Sequence, residues 1–292
     1  MGIDMPLSKD LRVKALKALR DKEPYGTQEL FYAGSKQKFN VYKINVDNII
    51  FNKYNGRIGT YVKSYEKFSG VLNPDNETDE KIIIDYLWKS NEKRNKETLQ
   101  DIKTKEQLVP GIVSADGIIV DGNRRSMLLK KIAQERNDTP TYFIAVILPD
   151  TLDENPKEIR KLETMVQMGE DAKVDYNPIE KYVKCKDLRE IDGFTDKQIA
   201  KMFGDPVSKI EIYFGVLELM NDYLDNHLKG DNEEESSYSG MYQVLTEQKR
   251  EGPFVDLYNY IKTLEGGNVR SADWTFEKED IEDVKSHFFD YI

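Results

Sequence analysis

The spacing of apolar positions changes character near residue 150 of this 292-residue chain. Before that point, period-two and continuous apolar runs alternate with helical ones. Residues 39–51 (FNVYKINVDNIIF) alternate well enough for one strand and a connection. Residues 58–68 follow with helical spacing. Ile82, Ile83, Ile84, Tyr86, Leu87 and Trp88 predict one packed helix, and Leu99 and Ile102 a second. Leu108–Val113 and Ile118–Val120 read as short neighbouring strands joined at Ala115-Asp116-Gly117, an Asp-Gly turn signal. A helix over 123–136 carries Met127, Leu128, Leu129 and Ile132 on one side. The run 141–148 (TYFIAVIL) is the clearest buried strand.

After Pro149 only the helical period remains, with helices expected over 155–170, 177–190, 195–203 and 206–220. Asn177 before Pro178 is a helix entry, and Thr195 to Gln198 has the form of a capping box. Gly204-Asp205 makes a short turn before Pro206, so residues 195–218 predict a helix-turn-helix. The fold class expected is α+β, a small mixed-sheet domain followed by an all-helical region. The divisions are a lead-in over 1–38, the sheet domain over 39–150, the helical region over 151–230, and a C-terminal segment over 241–292.

The flanks differ from the body. Residues 6–20 predict a basic amphipathic helix with Ser8 as N-cap and Leu11, Ala15, Leu16 and Leu19 as its apolar stripe. Lys14, Lys17 and Arg20 make either a solvated face or a nucleic-acid contact. Residues 231–240 (DNEEESSYSG) form the best linker. Beyond them Tyr242, Phe254, Tyr258, Tyr260, Trp274, Phe276, Phe288, Phe289 and Tyr291 stand among acids, more aromatics than a disordered tail needs. The final FFDYI points to an interface or to a chain cut from something longer.

Charge sharpens this division. The net charge is −10. From residue 221 onward there are 17 acidic and 7 basic side chains, so the first 220 residues carry 36 of each and sum to zero. A neutral body leaves room for local basic patches, while the acidic tail repels nucleic acid. One cysteine, Cys185, excludes an internal disulfide framework and a multi-cysteine zinc site. His227 and His287 both lie in the last third, which argues against a histidine-rich centre. There is no apolar run of membrane-spanning length, and MGIDMPLSKD is no signal peptide. The expectation is a soluble cytoplasmic protein.

The candidate chemistry lies at Ser114–Lys131 (SADGIIVDGNRRSMLLKK). A short strand stops at Asp121-Gly122 and turns directly into a helix opened by Asn123-Arg124-Arg125. Backbone N–H groups at a helix start and the helix dipole favour an anion there. Paired arginines add forked donors suited to phosphate. The alternative is a β–α turn whose arginines pair with nearby carboxylates. A second polar turn, Asn52-Lys53-Tyr54-Asn55-Gly56-Arg57, also leads from a strand into a helix.

These segments together resemble the ParB/sulfiredoxin superfamily, specifically ParB-like N-terminal domains followed by a helix-turn-helix. Asn52–Arg57 looks like the first family box, and Asp121-Gly122-Asn123-Arg124-Arg125 like the second, usually Gly-Glu-Arg-Arg. Asp175-Tyr176-Asn177-Pro178-Ile179-Glu180 looks like the Asn-Pro-x-Glu entry to the later helices. The resemblance covers about residues 40–220. It implies a pocket for CTP or ATP with magnesium, with Asn55, Gly56, Arg57, Asp121, Gly122, Asn123, Arg124 and Arg125 as nucleotide-binding candidates. Three departures stand out. Asn123 replaces the box glutamate. The second box has no cysteine, which argues against sulfiredoxin activity and leaves Cys185 structural. The Glu-Asn-x-x-Arg segment is replaced by a stretch with Glu163, Gln167, Glu170 and Asp171, in which Glu163 or Gln167 would take the magnesium or phosphate role the resemblance implies, with Glu163 the metal candidate.

Three functions fit. The first is a nucleotide-binding, DNA-associated protein of partition, mobile-element maintenance or phage defence, with Ser208 and Lys209 as DNA-binding candidates and Glu211 opposing phosphate. The second is an enzyme of the same superfamily (an NTPase, kinase or nuclease). Asp121 and Glu163 are then its catalytic candidates, with Asp116 a further acid near the pocket. The third is a non-catalytic interaction module that uses the C-terminal segment for a protein partner or for self-association.

Overall fold

The computed structural model describes residues 7–105, 107–135, 140–171, 177–226, 241–266 and 278–292. The chain divides into two compact units, one of residues 1–62 and 71–175, the other of 63–70 and 176–292. The fold is α+β, a five-stranded mixed sheet with its helices followed by a helical region.

The first unit is organised on the sheet. Strands β1 (Gly26–Tyr32) and β2 (Ser35–Asn45) form a hairpin closed by Ala33 and Gly34, both at positive φ. The sheet therefore starts within the stretch read as lead-in. GTQELFY hides its strand because only Leu30 and Tyr32 are buried, while Phe31 faces out. The remaining strands are β3 (Gly111–Val113), β4 (Ile119–Asp121) and β5 (Tyr142–Ile147), and the order is β1-β2-β5-β3-β4. Strand β5 runs antiparallel to β2 and parallel to β3, and β4 folds back antiparallel on β3.

The last five residues of β5 are all buried, as a strand covered on both faces requires. Ile144 and Val146 join Leu30, Tyr32, Val41, Ile112 and Val120 beneath Ile159 and Leu162 of α6 (Pro156–Asp171). Phe143, Ala145 and Ile147 face the other way. On that side α5 (Asn123–Glu135) packs on β5, backed by α3 (Glu77–Lys89) and α4 (Glu92–Lys105). Helix α2 (Gly59–Ser69) follows the first polar turn.

Helix α1 (Lys9–Arg20) packs against β2, but not through the expected stripe. Leu16 is buried, whereas Leu11 is exposed. Ser8 occupies the N-cap position without a side-chain cap bond. Arg12 takes the interior place instead, at 1% exposure. It donates to the carbonyls of Asp116 (3.1 Å) and Leu7 (2.6 Å) and pairs with Asp75. Arg20 donates to the carbonyls of Ile147 and Leu148, so it is a tie to β5 and not a solvated cation.

The second unit contains α7 (Pro178–Glu190), α8 (Asp196–Phe203), α9 (Val207–Asn226), α10 (Met241–Glu247), α11 (Glu251–Glu265) and α12 (Lys278–Tyr291). The Asn177 side chain accepts from the Ile179 N–H with Pro178 at the first helical position, and both bonds of the Thr195–Gln198 capping box form. Helix α8 ends on Gly204 in the left-handed conformation. Helix α9 runs to Asn226, six residues beyond the expected end, because Tyr223 and Leu224 remain buried. Phe254 and Phe289 pack with Tyr223, so this part of the aromatic tail forms core. Residues 231–240, Trp274 and Phe276 lie outside the described residues. Cys185 is fully buried, and burial pushes its thiol up to about 12, which leaves it inert.

The turn between α8 and α9 is held by charge. Asp205 accepts from Lys181 Nζ (2.6 Å) and Tyr213 Oη (2.8 Å). Burial alone would raise its pKa, but these two bonds together with the charges of Lys181 and Lys209 hold it below the ordinary 3.8. A carboxyl depressed on folding adds stability that is complete above its unfolded pKa and lost as pH falls through the folded one. Melting curves should therefore place Asp205→Asn below the parent at pH 7. The gap should narrow progressively as pH falls below about 4, and a gap that does not narrow on acidification contradicts the ionic account.

Candidate functional site

Both polar turns leave the sheet at the same place. Ile50 bridges Ile118 in parallel, so the chain entering Asn52 runs beside β4 in the same direction. The N–H of Ile50 donates to the Gly117 carbonyl (2.9 Å) and that of Ile119 to the Ile50 carbonyl (3.0 Å). Two parallel segments that end together deliver their loops to one edge, the usual place for a ligand in such sheets.

The asparagines of the first turn shape its backbone. Asn52 Oδ1 accepts from the Tyr54 N–H and Asn55 Oδ1 from the Arg57 N–H, each at 3.0 Å, making successive Asx turns. Both asparagines are buried. Lys53 is also buried, with Nζ 2.9 Å from the Leu72 carbonyl. Tyr54 projects outward, and the Arg160 guanidinium lies 4.4 Å from its ring centroid.

The second turn depends on close packing. Gly122 has φ +95°, and a Cβ there would lie 2.7 Å from Phe143 Cζ. Gly111, at the start of β3, meets the same ring, at 2.2 Å from a built Cβ. Phe143 thus fills the space under the turn. The Ser126 N–H donates to the Gly122 carbonyl (2.9 Å), which starts α5 directly after the glycine.

Asn123 is buried and joins the two turns. Its Oδ1 accepts from the Asn52 N–H (3.2 Å) and its Nδ2 donates to the Ile119 carbonyl (3.4 Å). Both ends of the side chain are therefore used within the fold. Asp121 pairs with Arg125 at 2.6 Å across one helical turn. Arg125 Nε is buried and without a hydrogen-bond partner among the described residues. Asp121 thereby holds Arg125 at the start of α5. Gly56 and Arg57 stand at the end of the first turn, and Arg124 at the mouth of α5.

Helix α6 supplies the third wall. Its core stripe is Ile159, Leu162 and Val166. Arg160, Glu163, Thr164 and Gln167 occupy the next face, and the last three are buried. Gln167 Nε2 donates to Glu163 Oε1 (3.1 Å). The side chains of Glu170 and Asp171 lie outside the described residues, as do Asp175 and Tyr176.

Not every candidate gathers here. Asp116 sits at the opposite end of the β3–β4 hairpin, buried, accepting from Ser114 Oγ (2.6 Å) with Lys9 Nζ at 3.7 Å. It is a turn residue, remote from Gly122. Ser208 and Lys209 belong to the other unit and are exposed, but Lys209 Nζ lies 3.6 Å from Asp205. Among the described residues no group of three or more His, Cys, Asp or Glu could hold a metal ion. Also among them, no helix is long and apolar enough to cross a membrane. Sequence reading missed the packing roles of Gly111 and Phe143 and the stacking of Arg160 on Tyr54. The paired Gly111 and Gly122 flanking a short hairpin were the available signal.

No family model matches this sequence, and no curated protein matches it. Among solved structures, the chain is similar to the C-terminally truncated chromosome-partitioning protein ParB from Caulobacter crescentus. Complexed to the centromeric parS site, that protein shows 16% identity over 65% of this chain and 86% of its own, with a TM-score of 0.30. Complexed with CTP-gamma-S, it shows 19% identity over 54% and 86%, with a TM-score of 0.19.

Proposed function

We propose that the first unit is a ParB-like nucleotide pocket for CTP or ATP, and that the chain acts in a DNA-associated process such as partition, mobile-element maintenance or phage defence. The observation that carries this reading is the Asn123–Asn52 hydrogen bond. It fixes the two polar turns, which resemble the family boxes, side by side at one sheet edge. In this reading the start of α5 and Arg124 receive phosphate oxygens. Arg125 adds charge tempered by Asp121, and Arg57 reaches in from the first turn. Asn55 and Asn123 shape the walls.

Magnesium fits only in a limited way. Glu163 is a single buried carboxylate, and the described residues offer no protein cage. An ion held mainly by phosphate oxygens and water, with Glu163 beside it, is compatible with that donor set. When bound, it would neutralise phosphate charge. A binding switch is favoured over turnover because Asp121 is already paired with Arg125. DNA contact would fall to Ser208 and Lys209 at the start of α9, where Glu211 and Asp205 keep the local charge low. Titrating the full chain with CTP, ATP and GTP, with and without magnesium, tests the pocket. Saturable binding of CTP or ATP is the expected result, and heats at the dilution baseline for all three would remove the reading.

A further inference from the structure

Gln167 is 3% exposed, yet its Oε1 is buried and has no hydrogen-bond partner among the described residues. A buried acceptor left unpaired is costly and calls for an explanation. The amide orientation is fixed, because Nε2 donates to Glu163 Oε1 at 3.1 Å. A flip would set two acceptors against each other and cure nothing. Gln167 also shares a helix face with Arg160, seven residues away or about two turns. Arg160 lies over Tyr54, so this face looks toward the first polar turn. Helix α6 packs on β4 and on β1. Its start is tied to β1 through Asp150, which accepts from Tyr32 Oη (2.7 Å) and Asn155 Nδ2 (2.9 Å). Strands β1 and β4 are the two edges of the sheet, and α6 crosses between them. Its second half is therefore the part on the β4 side, where Gly122 opens the second turn.

An acceptor in such a place receives a donor. Phosphate oxygens carry no proton to give at neutral pH and would be repelled. From this we infer that Gln167 Oε1 is a specificity position that accepts a hydrogen bond from the exocyclic amino group of the nucleobase. This rests on the nucleotide reading above and names the residue that would set these amino bases apart from their keto analogues. A keto group at the same ring position would set acceptor against acceptor, and sites built for one hydrogen bond reject the analogue lacking it.

The test uses the full chain and matched ligand pairs, CTP against UTP and ATP against ITP, by calorimetry with and without magnesium. The wild type should bind the amino member of the productive pair at least about tenfold more tightly, a difference of about 1.4 kcal/mol. Gln167→Leu should bring the amino member down to the keto member and leave the keto affinity within about threefold, on the scale of about 1.4 kcal/mol per tenfold. Gln167→Met, which matches glutamine in length but carries no acceptor, should repeat this loss. Melting curves read on both variants guard against a folding defect. Equal affinities within each pair in the wild type overturn the inference while leaving the pocket in place. Equal weakening of both members by Gln167→Leu also overturns it, and if seen only with magnesium it assigns the acceptor to metal-bound water. No binding of any nucleotide to the wild type removes the pocket itself.

Discussion

Gly122→Ala should destabilise the first unit by about 2–6 kcal/mol. Two costs add. An L-residue at φ +95° is strained by about 1–3 kcal/mol. The new Cβ also lands 2.7 Å from Phe143 Cζ, and forcing an extra carbon into packed surroundings costs about 1–3 kcal/mol. Phe143 is fully buried, so its ring has little room to yield. For a unit of this size the melting temperature should fall by roughly 4–24 °C. Gly169→Ala is the control. It lies in α6 with nothing within 4 Å of a built Cβ, and alanine there should be neutral or stabilising by up to about 1 kcal/mol. If the two variants melt alike, Gly122 is not the packing constraint described. Since Gly122 also sets the start of α5, the variant should lose nucleotide affinity even where it remains folded.

Arg12→Met should cost about 2–4 kcal/mol, although Arg12 lies in a helix whose basic residues read as solvated. The guanidinium is buried and donates to the carbonyls of Asp116 and Leu7 while pairing with Asp75. Methionine restores much of the packing volume but leaves those carbonyls unsatisfied. The cost stays below that of a wholly buried pair, because the Asp75 side chain is 42% exposed and regains water. Lys17→Met, on the exposed side of the same helix, should change stability by less than about 0.5 kcal/mol. Denaturant unfolding of both variants separates the cases. An Arg12→Met midpoint equal to the parent's would mean that α1 is not anchored by this side chain.

The sheet-forming half was legible wherever apolar runs were long. The run 141–148 is β5, and the helical spacing of 123–136 is α5. Strand β1 was not, because an edge strand buries one face only and Thr27, Gln28 and Glu29 conceal the alternation. Arg12 illustrates a different limit. Charge marks a residue as exposed unless its partners are known, and Asp75 and Asp116 are far away in sequence. Helix entries at Asn177 and Thr195 were local and were read correctly, since capping needs only neighbours three residues apart. At the site, the β–α turn at Gly122 was legible, and Arg125 pairs with Asp121, one of the two arrangements the sequence left open for the arginines. The role of Asn123 was hidden. Its partner, the Asn52 backbone, becomes visible only once Ile50 and Ile118 are paired. Asp116 was misplaced because nearness in sequence to Gly122 is not nearness in a hairpin, whose two ends point apart.

The most direct test of the nucleotide pocket is a calorimetric titration of the wild type and of Arg124→Ala with CTP and with ATP in the presence of magnesium. The account predicts saturable binding of at least one triphosphate to the wild type. It predicts at least a tenfold loss in the variant, about 1.4 kcal/mol, with a cooperative melting transition showing that the free variant is still folded. Binding of equal strength by both proteins, or binding by neither, would contradict the placement of phosphate at the start of α5.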